Sequence, residues 1–238
     1  MVRRVEGPAK RGFHRVAWDL RYPSFEAIEL KENPNNTNPT GVLAAPGEYT
    51  VTLLKQFDGI VTELSSPVTF EVVPLRKGAL EGAPVETVTA FWQDLANLYR
   101  SISAARITIA KNLSKVDYIN KALERSKIFP GQFDKELYDL RQALFQFDEE
   151  VNGNRSKRKI GEDRNPTLLN RLNFATSGTG NSTYGPTPLH QRSFDIASKQ
   201  FKELKTKLDD IVFNQLPNLE KRMLEAGAPW VEGQPIPE

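Results

Sequence analysis

The stretch FDKELYDLRQALFQFDEEV, Phe133 to Val151, decides the fold. Phe133, Leu137, Leu140, Leu144, Phe147 and Val151 recur at a four-three-four-three-four spacing, which puts all six on one stripe of an α-helix and charged residues around the rest. A helix of this kind is stable only when its stripe is buried against others. It is expected over about 132–151, between the breakers Pro130-Gly131 and Asn152-Gly153. The same period continues on both sides. Upstream, Val88, Trp92, Leu95, Tyr99, Ile102, Ile109, Leu113, Val116 and Leu123 predict a helix over about 86–127, roughly 60 Å long at 1.5 Å per residue. Downstream, Thr187-Pro188 suits an N-cap and first turn. Phe194, Ala197, Phe201, Leu204, Leu208, Ile211, Leu219 and Met223 then predict a helix over about 187–226, kinked at Pro217 and stopped by Gly227 and Pro229. Three one-sided helices imply an antiparallel three-helix bundle with coiled-coil-like packing over 76–238. The link 152–186 is expected to be a long loop. Leu168, Leu169, Leu172 and Phe174 would supply a short docked helix within it, and ATSGTGNSTYG a mobile part.

Before this region the period is two. In residues 13–21, His14, Val16, Trp18 and Leu20 alternate with Phe13, Arg15, Ala17, Asp19 and Arg21, the pattern of a half-buried strand. A second run, Glu48 to Gln56, follows the Pro46-Gly47 turn and ends at Asp58-Gly59, a two-residue hairpin signal. A third begins after Pro67 with Val68, Phe70 and Val72, and a short strand is expected at Val2 to Val5. KENPNNTNPTG reads as a surface loop. Residues 1–75 are therefore expected to form a small antiparallel β-sandwich of immunoglobulin type. Four or five strands fall short of the usual seven, so upstream strands are expected to be missing. The fold class is α+β, with two domains.

Composition narrows the function classes. The chain has 238 residues, 39% hydrophobic and 26% charged, enough for a sizeable core and too ordered in character for a disordered chain. Thirty-two Lys plus Arg against thirty Asp plus Glu leave +2, which gives no electrostatic ground for a nucleic-acid partner. No apolar run approaches the length of a membrane span, and no charged-then-apolar export signal is expected in this chain. Without cysteine, thiolate metal sites and disulfides are excluded, and only His14 and His190 remain as imidazole ligands. No cofactor is expected.

GFHRVAWDLRYP, Gly12 to Pro23, gathers the polar residues of a small active site. Alternation sends Trp18 and Asp19 to opposite faces, where they cannot cooperate, so it is read as a strand with Asp19 accepting hydrogen bonds in the following turn and solvated arginines. RSKRK, Arg155 to Lys159, reads as a solvated loop, and the Gly-x-Gly of SGTGNSTYG lacks a preceding strand and a phosphate-loop lysine. Glu149-Glu150 and Asp209-Asp210 could suggest glycosidase acid/base chemistry, but charged helix surface explains them. Asn35-Asn36-Thr37 and Asn181-Ser182-Thr183 match glycosylation acceptors. No catalytic or metal residue is assigned. Trp230 is expected to fold back onto the helices, with ligand stacking as the alternative.

GFHRVAWDLRYP followed by GVLAAPGEYTVTL resembles the immunoglobulin-like module of the flagellar hook-assembly type. Pro186-Thr187 ahead of a long helix and Ala226 to Trp230 at its stop are similar to the C-terminal region of large bacterial exported proteins with a sortilin-like, neuraminidase-repeat β-propeller, labelled glycosyl hydrolases. The resemblance implies a non-catalytic C-terminal structural or interaction module, exported in its full-length context, whose partner is an upstream propeller of the same protein or another protein. It also implies an alternative, a carbohydrate-binding accessory module in which Tyr22, Tyr184 and Trp230 would meet glycan. The propeller is absent from this chain, so no catalytic residue carries over.

Overall fold

A computed structural model describes residues 1–28, 41–75, 81–129, 131–162, 165–180, 182, 184–234 and 236. The fold is mixed α+β: small antiparallel sheets followed by helices. Strands β1 (Gly47–Val51), β2 (Leu54–Phe57), β3 (Ile60–Glu63) and β4 (Val68–Val72) form two two-stranded ladders, β1 with β4 and β2 with β3. Registers Val51↔Val68 and Leu54↔Glu63 make the two ladders one long hairpin interrupted by a bulge. Pro67 lacks an N–H to continue the ladder. The bulge is held instead by Leu64 N–H donating to the Leu53 carbonyl at 2.8 Å and by Leu53 N–H donating to Ser65 Oγ at 3.1 Å. At the tip, Asp58 and Gly59 both have positive φ, 47° and 78°, the type I′ turn that the Asp-Gly pair favours.

Residues 13–21 are not the strand that their alternation predicts. Asp19 Oδ1 accepts from Arg21 N–H at 3.1 Å and Leu20 turns to φ 56°, so the chain is diverted. Only 20–22 pair with 42–44, through Tyr22 N–H to the Val42 carbonyl and Ala44 N–H to the Leu20 carbonyl. Arg21, expected to be solvated, donates to the Gly41 carbonyl at 3.0 Å. No strand forms at Val2 to Val5; there the side chains of Arg3 and Arg4 reach Asp19 and Gln56. KENPNNTNPTG, apart from Gly41, lies outside the described residues, as do Asn35-Asn36-Thr37 and, in the other acceptor motif, Asn181 and Thr183. Gly41 is buried with no room for a side chain: a Cβ there would collide with the Tyr22 and Pro23 carbonyls. Gly41→Ala is expected to cost about 1–3 kcal/mol by separating 20–22 from 42–44. Trp18 fluorescence should shift toward that of a solvated indole, and an unchanged spectrum would contradict this packing.

The helices are α1 (Val85–Glu124), α2 (Asp134–Asn152), α3 (Arg155–Lys159), α4 (Leu168–Gly180), α5 (Pro188–Asp210) and α6 (Leu216–Glu225). The segment 152–186, expected to be a loop, holds α3 and α4. Asn154 caps α3 by accepting from Ser156 and Lys157 N–H, which turns the basic run into one helical turn. In α4, Leu168, Leu172, Ala175 and Thr179 are buried at a four-three-four spacing that continues through ATSGTG, the part expected to be mobile.

The low-numbered end of α1 meets the end of α4 and the start of α5, through Trp92 Nε1 donating to Thr179 Oγ1 at 3.1 Å and Phe91 against Phe194. Its high-numbered end meets α2 and α6, through the Arg141–Asp117 and Lys115–Glu220 ion pairs. α2 and α4 therefore follow one another along α1, both opposite to it in direction, while α5 and α6 run parallel to it. Between α5 and α6, Ile211–Gln215 form a π-helical turn closed by Leu216 N–H to the Ile211 carbonyl. It takes up the missing donor and ring bulk of Pro217 without ending the helix. Gly227, at φ 89°, ends α6, with Ala228 N–H returning to the Met223 carbonyl at 2.9 Å.

Candidate interaction surface

Among the described residues, every buried hydrophobic side chain belongs to the helical half, from Val88 to Ala228. The β half packs only partly. Trp18 lies edge-on to Tyr49 and Phe70, with ring centroids 5.3 Å and 6.2 Å away, and its Nε1 donates to the Arg21 carbonyl at 2.9 Å. Tyr49 Oη donates to the Ala45 carbonyl, and burial followed by the neighbouring Tyr22 pushes its phenol up from the ordinary value. Phe25 packs edge-on against Tyr99 of α1 at 5.1 Å.

Beyond this cluster both faces of the β2–β3 end expose apolar residues set among polar ones. The register Phe57↔Ile60 puts these two on one face, and Gln56↔Val61 puts Val61 with Leu54 on the other. Phe57, Ile60 and Val61 are 66%, 69% and 55% exposed, and Val51 and Val68 are 56% and 59% exposed. Lys55 and Thr62 share the first face and Gln56 and Glu63 the second, so the ladder lacks the clean division into an apolar and a polar side that a half-solvated antiparallel sheet carries. Sequence reasoning used the Asp-Gly turn and passed over the apolar residues flanking it, Phe57 and Ile60-Val61, which are the signal for this surface.

The glycan candidates do not converge. Tyr184 and Trp230 are 46% and 47% exposed, while Tyr22 is half-buried beside Tyr49. The Tyr184 carbonyl accepts from Ala83 N–H at the start of α1. Trp230, expected to fold onto the helices, donates through Nε1 to the Gln234 carbonyl at 3.3 Å, and Ala228 packs against the core. Gln234 reaches Glu220, the partner of Lys115. Ala83 and Lys115 are roughly 48 Å apart along a helix of 1.5 Å rise, so Tyr184 and Trp230 sit near opposite ends of the helical half.

A polar cleft of about 630 Å³ lies among α2, α3, α4 and α5, with Glu149, Glu150, Lys157, Glu203 and Lys207 on its walls. Lys157 Nζ lies 3.0 Å from Glu149 Oε1. That ammonium and the Asn154 side chain hold the Glu149 carboxyl below its ordinary value, so it stays ionised where a general acid must keep its proton. In the other carboxylate pair, Asp209 is bound to Lys205, and Asp210 accepts from the Asn214 and Gln215 amides, which lower its pKa. Glu149, Glu150, Asp209 and Asp210 each have a partner on the helix surface. Among the described residues, no cluster of three His, Asp or Glu side chains could hold a metal ion, and no helix is long and apolar enough to cross a membrane. Compared with protein-family models, curated proteins and solved structures, the chain has no match.

Proposed function

We propose that this chain is a non-catalytic structural or interaction module, the C-terminal part of an exported β-propeller protein of the glycosyl-hydrolase-like kind. In this reading residues 1–75 belong to an immunoglobulin-like sandwich completed by polypeptide beyond the described residues. The helices are an up-down-up three-helix bundle whose middle rod is split into α2 and α4. The observation that carries the reading is the contrast between the two halves: the helical stripes close into one core, whereas the hairpin leaves Val51, Phe57, Ile60, Val61 and Val68 exposed. An isolated two-stranded hairpin is marginal in water, so the β half needs a cover to be stable. That cover is the upstream propeller or a partner protein. The placement of Tyr184 and Trp230 near opposite ends of the helical half favours this reading over the carbohydrate-binding alternative.

An antibody raised against this chain, used on fractionated source cells, tests the reading. The expected result is a native species much heavier than 26.8 kDa in the exported fraction. A species of 26.8 kDa in the cytosol would overturn it.

A further inference from the structure

Thr187 caps α5 with a partner of unusual chemistry. Its Oγ1 accepts from His190 N–H at 3.3 Å, and its own N–H donates to His190 Nδ1 at 3.3 Å, which completes a capping box. The third position of such a box is ordinarily Glu or Gln, whose oxygen accepts throughout the range in which imidazole takes a proton. Imidazole nitrogen accepts only while unprotonated. The capped state therefore requires a neutral ring with its one proton on Nε2.

The ring is also seated tightly. It packs on Phe174 of α4 with centroids 5.2 Å apart, and its Nε2 edge enters a notch at Gly178, where an added Cβ would overlap the ring. We propose that the start of α5 is an acid-sensitive latch, in which protonation of His190 breaks the Thr187–His190 capping box and frees the turn between α4 and α5. A proton on Nδ1 sets N–H against N–H at Thr187, and it adds a cation to a helix N-terminus that is already electropositive. Little nearby opposes that cost. The α4 residues in contact with the ring, Phe174 and Gly178, are uncharged, and Arg171, one turn before Phe174 on the same helix face, is a further cation. On α5 itself, Arg192 is cationic and Asp195 is taken by Gln191 Nε2 at 3.0 Å. Among the described residues no carboxylate, Glu86 in the first turn of α1 included, forms an ion pair with the ring.

Only an unprotonated Nδ1 accepts from Thr187 N–H, so the latch holds while the ring is neutral and is lost where it is protonated. The end that loosens is where α1, α4 and α5 meet, including the Ala83–Tyr184 hydrogen bond.

Amide hydrogen exchange on the whole chain at about pH 5 and about pH 8, corrected for intrinsic rates, tests the proposal. The His190 and Gln191 amides, which donate to Thr187, are expected to lose about fivefold protection at the lower pH, the worth of one cap. His190→Gln keeps the box and removes the titration, so its protection should be the same at both values. Nitrogen-15 spectra of the ring should show the Nε2–H form at the higher pH. Unchanged protection in the parent chain, an equal loss in His190→Gln, or an Nδ1–H tautomer would overturn the latch.

Discussion

Leu172→Ala is expected to lower the unfolding free energy by about 2–5 kcal/mol, among the largest effects of any single change in this chain. Leu172 is fully buried, and the helix bearing it lies against both α1 and α5. Truncation removes the transfer free energy of three carbons and leaves a cavity between helices that are fixed on every side. Collapse is resisted because Thr179 ties the far end of α4 to Trp92 and to the Ala175 carbonyl, while Ser193 of α5 donates to the Arg171 carbonyl at 3.0 Å. At about 2–4 °C per kcal/mol for a chain of this size, the melting temperature should fall by roughly 5–15 °C. Asn173→Ala, one residue away and exposed, should stay within about 0.5 kcal/mol of the parent. Equal, small effects in the two variants would remove α4 from the core.

Leu172 also marks where sequence reasoning stopped short. The stripes of α1, α2 and α5 were legible because each repeats over many turns, and only burial on one side of a helix produces that repeat. In α4 the same spacing ran into Ser177-Gly178-Thr179-Gly180, whose composition signals a flexible loop. Packing overrides that preference. Thr176 and Thr179 return their hydroxyls to the carbonyls of Leu172 and Ala175, and Gly178 is small because the His190 ring occupies the space a side chain would take. Periodicity misled in the opposite direction at residues 13–21. Trp18 alone of the alternating face is half-buried, against Tyr49 and Phe70; strand pairing also needs a neighbouring edge, and the turn at Asp19-Leu20 carries the chain away from one. The uncovered hairpin was equally opaque, since an apolar residue in a sequence does not say whether its cover lies nearby.

Lys115→Met is expected to cost about 2–4 kcal/mol, because it strands the most buried carboxylate that the helices contain. Lys115 Nζ lies 2.8 Å from Glu220 Oε2, with the two side chains 29% and 10% exposed. The lysine keeps some access to water and the glutamate almost none, so the loss falls below that of a fully buried pair yet well above the 0–1 kcal/mol typical of surface pairs such as Lys135–Asp139. Without the ammonium, Glu220 keeps, among the described residues, the Gln234 amide at 3.4 Å. Glu220→Gln should be milder, since it removes the charge that needs compensation. The double variant Lys115→Met, Glu220→Gln should recover part of the Lys115→Met loss, and that recovery separates a stranded charge from lost lysine packing. Salt should change the pair's worth little, because a desolvated pair is poorly screened. The readout extends beyond stability: Gln234 also accepts from Val231 N–H and from Trp230 Nε1, so loosening Glu220 should expose Trp230 to quenchers. A Lys115→Met chain within 0.5 kcal/mol of the parent, with Trp230 quenching unchanged, would mean that the tail and α6 are held by apolar packing alone and that the ion pair is incidental.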